Sequence, residues 1–382
     1  MATKGKHLII ATGGTGGHFY PALAIALEHE RQGGVVTLLV AGHNTARHLE
    51  TARKAGLAAF ACSAPRPPGG LLGRVAFPVQ FLRACLGARR LIKRLRPDLV
   101  LGMGSFACVP VCLMAARARV PLFLHEGNAM VGRANLFLSR RARLLAASLP
   151  LVPGQKCRCP TRLTGMPLRP EILRVAAIPC DRAKTGESFG FTERKPVLLV
   201  FGGSLGAEFL NGVMTRVPAL LGDHAGRLQV IHLTGADDNH ALEQAYSQAG
   251  MQAFVRAYEN HIQDCYSLAD LVVCRAGGST LAELAVFGKP AILVPFPAAA
   301  NDHQTANAQV MAEAGAALHL PQKDATPEAL AELIRSWLDC PDAWADYARN
   351  IRRFGHPRAS AAIVEIFFTP EAVRRTDAPT AS

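Results

Sequence analysis

Residues Cys274 to Ala317, CRAGGSTLAELAVFGKPAILVPFPAAANDHQTANAQVMAEAGAA, leave a folding chain few choices. The run Leu271-Val272-Val273-Cys274 is short, apolar and β-branched, as a buried strand is, and Gly277-Gly278 follow where such a strand would turn into a helix. Ser279 or Thr280 is placed to cap that helix, Leu281, Leu284 and Ala285 recur at helical spacing, and Gly288 with Pro290 stops it. Ala291 to Pro295 is a second apolar strand, and the loop after it carries Asn301, Asp302, His303 and Gln304. The stretch therefore predicts a βαβ unit. Parallel strands present ligands at their carboxyl ends, so both polar loops should face one crevice with the helix amino terminus aimed at an anion. Glu283, one turn inside, can accept two hydrogen bonds from a sugar diol. The same carboxylate would also suit an ordinary helix cap.

Two more glycine turns repeat the pattern. His7 to Ala11 predicts a strand, GGTGGH at Gly13 to His18 a turn, and Pro21 to about Arg31 a helix, with an imidazole at the crevice that titrates near neutrality. Val197 to Val200 leads into FGGSLGAEFLN, Phe201 to Asn211, where Ser204 and the nearby amides can meet a phosphate. Between these lie strands at Val35 to Ala41, Leu99 to Met103 and Pro121 to Leu124, the last delivering HEGN, His125 to Asn128. At 382 residues the chain exceeds one core, and strands and helices alternate on both sides of a Pro-, Arg- and Gly-rich linker around Thr164 to Lys195. The expected fold class is α/β, two doubly wound Rossmann-like domains facing a cleft, residues 1–165 and 166–350.

Charge divides the chain the same way. Residues 1–165 hold 23 Lys and Arg against 5 Asp and Glu, and the remainder 19 against 24. A basic amino-terminal half suggests a polyanionic neighbour. From Arg66 to Arg96 there are eight basic residues and no acid, interleaved with Leu71, Leu72, Val75, Phe77, Val79, Phe81, Leu82 and Leu86. Such a segment can lie on an anionic membrane surface, apolar groups in the headgroup boundary and arginines on lipid phosphates. It also suits a core helix with a solvated face. Nucleic acid is not expected, because the interleaved residues are mostly aliphatic and no aromatic pair is placed to stack bases. No apolar run is long enough to span a bilayer, and no secretory signal precedes Lys4-Gly5-Lys6. The ten cysteines are thus expected as reduced thiols. Cys157, Cys159 and Cys180 lack the partners of a zinc site, so no metal is expected.

With GGTGGHFYPALA, HEGN, GMPLR, GGSLGAEFLN and the Cys274 to Ala317 stretch in order over about residues 5–368, the chain resembles the MurG family. These are peripheral-membrane N-acetylglucosaminyltransferases that convert lipid I to lipid II in bacterial peptidoglycan synthesis. The resemblance implies a GT-B fold at the cytoplasmic face of the plasma membrane, with UDP-N-acetylglucosamine as donor, undecaprenyl-linked lipid I as acceptor and no tightly bound cofactor. It implies that Thr15, Gly16 and Gly17 approach the donor, that Asn128 touches its sugar, and that Arg169 and Ser204 serve the diphosphate. Gly278, Ser279, Thr280, Leu281, Ala282 and Glu283 would hold diphosphate and ribose, Gln304 the sugar hydroxyls, and the turn at Glu259 the uracil through its backbone. His18, or else Glu126, would be the catalytic base. A helix near 351–368 would return to the first domain, and 369–382 would be a disordered tail.

The family usually has Gln at Gly127 and Leu205, Tyr at Phe106, Gly at Ser105, Asn at Met166 and Ile at Glu259. These departures alter groups expected near acceptor and sugar. Two neighbouring readings share much of the pattern: a transferase of this fold with another lipid acceptor, and a UDP-N-acetylglucosamine 2-epimerase. The second would need no membrane face.

Overall fold

A computed structural model describes residues 3–42, 44–64, 70–203 and 207–369. The chain forms two compact units, residues 1–169 with 356–382, and residues 170–355. Each is built on one parallel sheet.

The first sheet contains β1 (His7–Gly13), β2 (Val35–Ala41), β3 (Ala58–Ala61), β4 (Leu99–Gly102), β5 (Leu122–Glu126), β6 (Leu144–Ala147) and β7 (Thr161–Leu163). Their order is β3-β2-β1-β4-β5-β6-β7. Side chains alternate across the sheet, as a two-residue period demands. Leu8, Ile10, Leu38 and Leu101 pack beneath Phe19 and Ile25, whereas Ile9, Leu39, Val100 and Leu124 pack against Cys85, Ile92 and Cys112. The helix Ala359–Phe367 joins the first of these cores through Ile363, Val364 and Phe367.

The second sheet contains β8 (Val197–Phe201), β9 (Gln229–Leu233), β10 (Gln252–Arg256), β11 (Leu271–Cys274), β12 (Ala291–Leu293) and β13 (Leu318–His319). The order β10-β9-β8-β11-β12-β13 is again doubly wound. In both sheets the strand order reverses beside the first strand, between β1 and β4 and between β8 and β11. Ligands of such sheets bind outside the carboxyl ends at this switch. The glycine turns of the first unit follow β1 and β4, and those of the second follow β8 and β11.

Several boundaries differ from expectation. The first helix is Gly16–Arg31, not Pro21 onward, with Thr15 as its cap residue and Pro21 inside. The stretch expected as a linker holds two helices of the second unit, Pro170–Ala176 and Arg182–Glu187. The first of these packs on the helices Ile262–Leu268 and Gly278–Phe287. The closing helix begins at Ala359 rather than Ile351, because Gly355 and Pro357 interrupt the chain after the helix Pro341–Ile351. Residues 370–382 of the expected tail lie outside the described residues, as do Arg66, Ser204 and Leu205. Among the described residues no helix is long and apolar enough to cross a membrane.

Candidate functional site

At the carboxyl edge of the first sheet, three loops converge on His18. The imidazole stands in the first turn after β1, with Nδ1 2.7 Å from the Thr15 hydroxyl. Gly13 has no side chain for a physical reason: a Cβ there would collide with Ser105, which follows β4. Ser105 Oγ in turn accepts from the Ala107 amide at 3.2 Å. The third loop follows β5. Its His125 is buried, 3.0 Å from Ser148 Oγ, and its pKa is pushed down to about 3 by burial, with the nearby His18 adding to the effect.

Glu126 is differently employed. Its carboxylate, 5% exposed, accepts from the Gly132 amide at 2.9 Å and Asn135 Nδ2 at 3.0 Å. It also accepts from the Asn128 amide and Asn128 Nδ2, both at 3.2 Å. Burial raises its pKa against the pull of those donors. Four bonds to one loop make the carboxylate the clasp that holds Asn128 in place.

The departures from the family pattern are structurally linked. A Cβ at Gly127 would lie 3.0 Å from Met166 Cε, so the missing side chain at 127 makes room for the larger one at 166. Phe106 packs its ring 6.1 Å from Phe77 of the helix Gly70–Leu95. Arg169, at the end of the GMPLR motif, lays its guanidinium 5.1 Å from the Tyr20 ring.

At the carboxyl edge of the second sheet, the helix Gly278–Phe287 starts without a side-chain cap. Gly277 is the cap residue, in extended conformation, which corrects the expectation for Ser279 or Thr280. The first helical bond runs from the Leu281 amide to the Gly277 carbonyl. The amides of Gly278, Ser279 and Thr280 thus stay outside the ladder, at the positive end of the helix dipole. Ser279 Oγ is buried with no partner among the described residues. Leu281 and Ala282 are core-facing, so any contact they make with a ligand runs through backbone. At the helix's other end Gly288 adopts φ 65°, the left-handed stop.

Glu283 Oε2 accepts from the buried Tyr266 hydroxyl at 2.9 Å. Gln304 accepts from the Phe296 amide at 3.0 Å through its carbonyl oxygen, a bond that does not use its amide nitrogen. Asn301 and Asp302, just before it, hold the left-handed conformation that Asn and Asp tolerate best. Glu259 accepts from the His261 amide at 2.8 Å, so its carboxylate belongs to the turn.

Sequence reasoning missed two buried members of this edge. Arg275 is 5% exposed, donates to the Val294 and Pro295 carbonyls at 3.0 and 3.1 Å, and lies between the Phe209 and Phe296 rings. It places a buried cation between β11 and the glycine turn. Asn307 Nδ2 donates to the Ala276 carbonyl at 2.9 Å and ties the polar-loop helix to that turn. An arginine interrupting an apolar strand-to-turn junction was the available signal for the first; the second had none. Among the described residues, no group of three or more His, Cys, Asp or Glu could hold a metal ion.

Burial of His125 and of His232, also held at about 3, has a measurable consequence. Each is neutral in the fold, whereas the unfolded chain binds a proton below about pH 6.5. Their contribution is fully present above pH 6.5 and is lost as the pH falls toward 3, by about 1.4 kcal/mol per pH unit for each. Chemical denaturation between pH 6 and 4 should therefore show unfolding coupled to the uptake of up to about two protons by these groups. A pH-independent unfolding free energy over that range would contradict the assignment.

Comparison with known proteins agrees with the two-unit architecture. The glycosyltransferase family 28 N-terminal domain matches residues 8–146 and the family 28 C-terminal domain residues 197–362. A curated relative from Rhodospirillum rubrum is 36% identical over 368 residues, 94% of this chain and 91% of its own length. It is named UDP-N-acetylglucosamine–N-acetylmuramyl-(pentapeptide) pyrophosphoryl-undecaprenol N-acetylglucosamine transferase. A crystal structure of MurG from Acinetobacter baumannii is similar with TM-score 0.74 and 28% identity, covering 94% of this chain and 98% of that one. A UDP-GlcNAc 2-epimerase from Neisseria meningitidis, 14% identical with TM-score 0.65 over 94% of this chain and 98% of its own, shares the fold alone.

Proposed function

This chain belongs to glycosyltransferase family 28, and we propose that it moves N-acetylglucosamine from UDP-N-acetylglucosamine to the N-acetylmuramyl C4 hydroxyl of lipid I, giving lipid II. The observation that carries this reading is the length-wide match to curated transferases of that name. The GT-B fold alone would serve an epimerase equally.

The acceptor oxygen attacks the anomeric carbon, the bond from that carbon to the diphosphate oxygen breaks, and α configuration becomes β. UDP leaves with the electron pair. The acceptor proton goes to His18 Nε2 in the tautomer whose Nδ1–H donates to the Thr15 hydroxyl, 2.7 Å away. Gly16 and Gly17 let the backbone beside Thr15 come close to the donor. Glu126 clasps the loop that presents Asn128 to the sugar. Charge developing on UDP is met by the Gly278, Ser279 and Thr280 amides, Ser204, Arg169 and the buried Arg275 cation. Glu283 reads the ribose diol, Gln304 the sugar hydroxyls and the Glu259 backbone the uracil. Glu283→Ala should therefore weaken donor binding by about 1.5 to 3 kcal/mol, the range for hydrogen bonds to a charged group. Equal calorimetric affinities of parent and variant would reject the ribose assignment.

The first unit also carries the features of a membrane face. On the helix Gly70–Leu95, Val79, Leu82 and Leu86 are exposed. Leu82 and Leu86 line an apolar groove of about 680 Å³ with Phe77, Phe81, Leu113 and Met114, edged by Arg89 and Arg117. A second hollow of about 840 Å³, at the amino ends of β5, β6 and β7, is lined by Arg117, Arg119, Arg140, Arg141, Arg143 and Arg158. The enzyme binds the cytoplasmic face of the plasma membrane peripherally, through anionic headgroups. Each arginine near such a surface contributes about 1 kcal/mol. Replacing Arg89, Arg90, Lys93 and Arg94 by Ser should release the protein from anionic vesicles at physiological salt and leave UDP binding unchanged. Equal co-sedimentation of variant and parent would mean a merely solvated face.

The function itself is tested by offering labelled UDP-N-acetylglucosamine with lipid I, diacylglycerol or no acceptor. Label should enter the lipid fraction only with lipid I. Transfer to diacylglycerol instead would replace the acceptor and keep the fold.

A further inference from the structure

We infer that Tyr266 is a positioning residue that fixes the Glu283 carboxylate for a ribose diol, and so makes this chain select ribonucleotide donors. The inference rests on the reading of Glu283 as the ribose ligand. Tyr266 belongs to the helix Ile262–Leu268, which packs on the helix that carries Glu283. Its side chain is 1% exposed. The ring is caged by Phe201 at the end of β8, with centroids 5.9 Å apart, and by Phe287, 5.5 Å away. With the ring so confined the hydroxyl has one direction, toward Glu283 Oε2 at 2.9 Å. Burial also holds the phenol well above its ordinary pKa, so it remains a donor.

A glutamate carboxylate ordinarily rotates about its last bond. Donation from a caged phenol to Oε2 restrains that rotation, so the plane of the carboxylate is set before two vicinal hydroxyls reach it. A ligand then meets a fixed pair of acceptors and need not order them. A ligand without the diol gains nothing from this arrangement, so the phenol acts on selectivity as well as affinity.

The test compares UDP with 2′,3′-dideoxyuridine diphosphate by calorimetry on parent, Tyr266→Phe, Glu283→Ala and the double variant. Tyr266→Phe keeps the ring and removes only the donor. It should weaken UDP about tenfold, a loss within the range for one charge-assisted hydrogen bond, and leave the dideoxy compound within about twofold of its parental affinity. In the Glu283→Ala background the same change should add nothing. Equal weakening of both nucleotides, or of neither, would overturn the role of Tyr266 while a Glu283→Ala loss of discrimination still stood. Parental discrimination in Glu283→Ala would instead remove the ribose assignment, and the inference with it.

Discussion

His18→Ala is expected to keep UDP affinity within about a factor of two and to lower kcat by about 10² to 10⁴, the span for losing a general base. The expectation rests on position: the ring stands at the carboxyl edge of the first sheet beside the switch between β1 and β4, oriented by the Thr15 hydroxyl. The parental kcat should also fall at acid pH as the imidazole protonates. His18→Gln separates chemistry from architecture, since glutamine can bond to Thr15 yet cannot take a proton at neutral pH. Retention of more than about a tenth of parental kcat by the glutamine variant would make His18 a positioning residue.

Glu126→Ala should act on stability first. Removing the carboxylate takes one acceptor from the Gly132 and Asn128 amides and from the Asn135 and Asn128 side chains, although Asn135 Nδ2 keeps its bond to the His125 carbonyl. The cost should be about 1 to 3 kcal/mol, the range for leaving buried neutral donors without their acceptor. Hydrogen exchange should show the loop from 126 to 135 losing protection ahead of the second unit. A stable Glu126→Ala protein with normal loop protection and a collapsed kcat would transfer the base role to Glu126.

Much of the framework could be read in the chain because buried parallel strands are short apolar runs bounded by glycine. Leu271–Cys274 and Val35–Ala41 coincide with the expected segments. Local preference misled where it competed with the backbone. Pro21 looked like a first helical residue, yet the helix begins at Gly16, and Ser279 looked like a cap where Gly277 serves. The helices Pro170–Ala176 and Arg182–Glu187 are too short for a helical period to stand out against Pro, Arg and Gly. At the proposed site, the positions of His18 and Glu283 followed from their turns. The clasp made by Glu126 and the phenol behind Glu283 did not, because each depends on contacts between separate elements. Gly127 and Met166 appeared as two unrelated departures until their packing joined them.

Transfer with inversion to lipid I is tested most directly by the fate of the labelled sugar in one quenched incubation with both substrates. One UDP should be released for each sugar transferred, and the product should be a lipid-linked disaccharide whose new anomeric centre is β by proton NMR. Label recovered as a nucleotide sugar inverted at C2, with no lipid product, would contradict it.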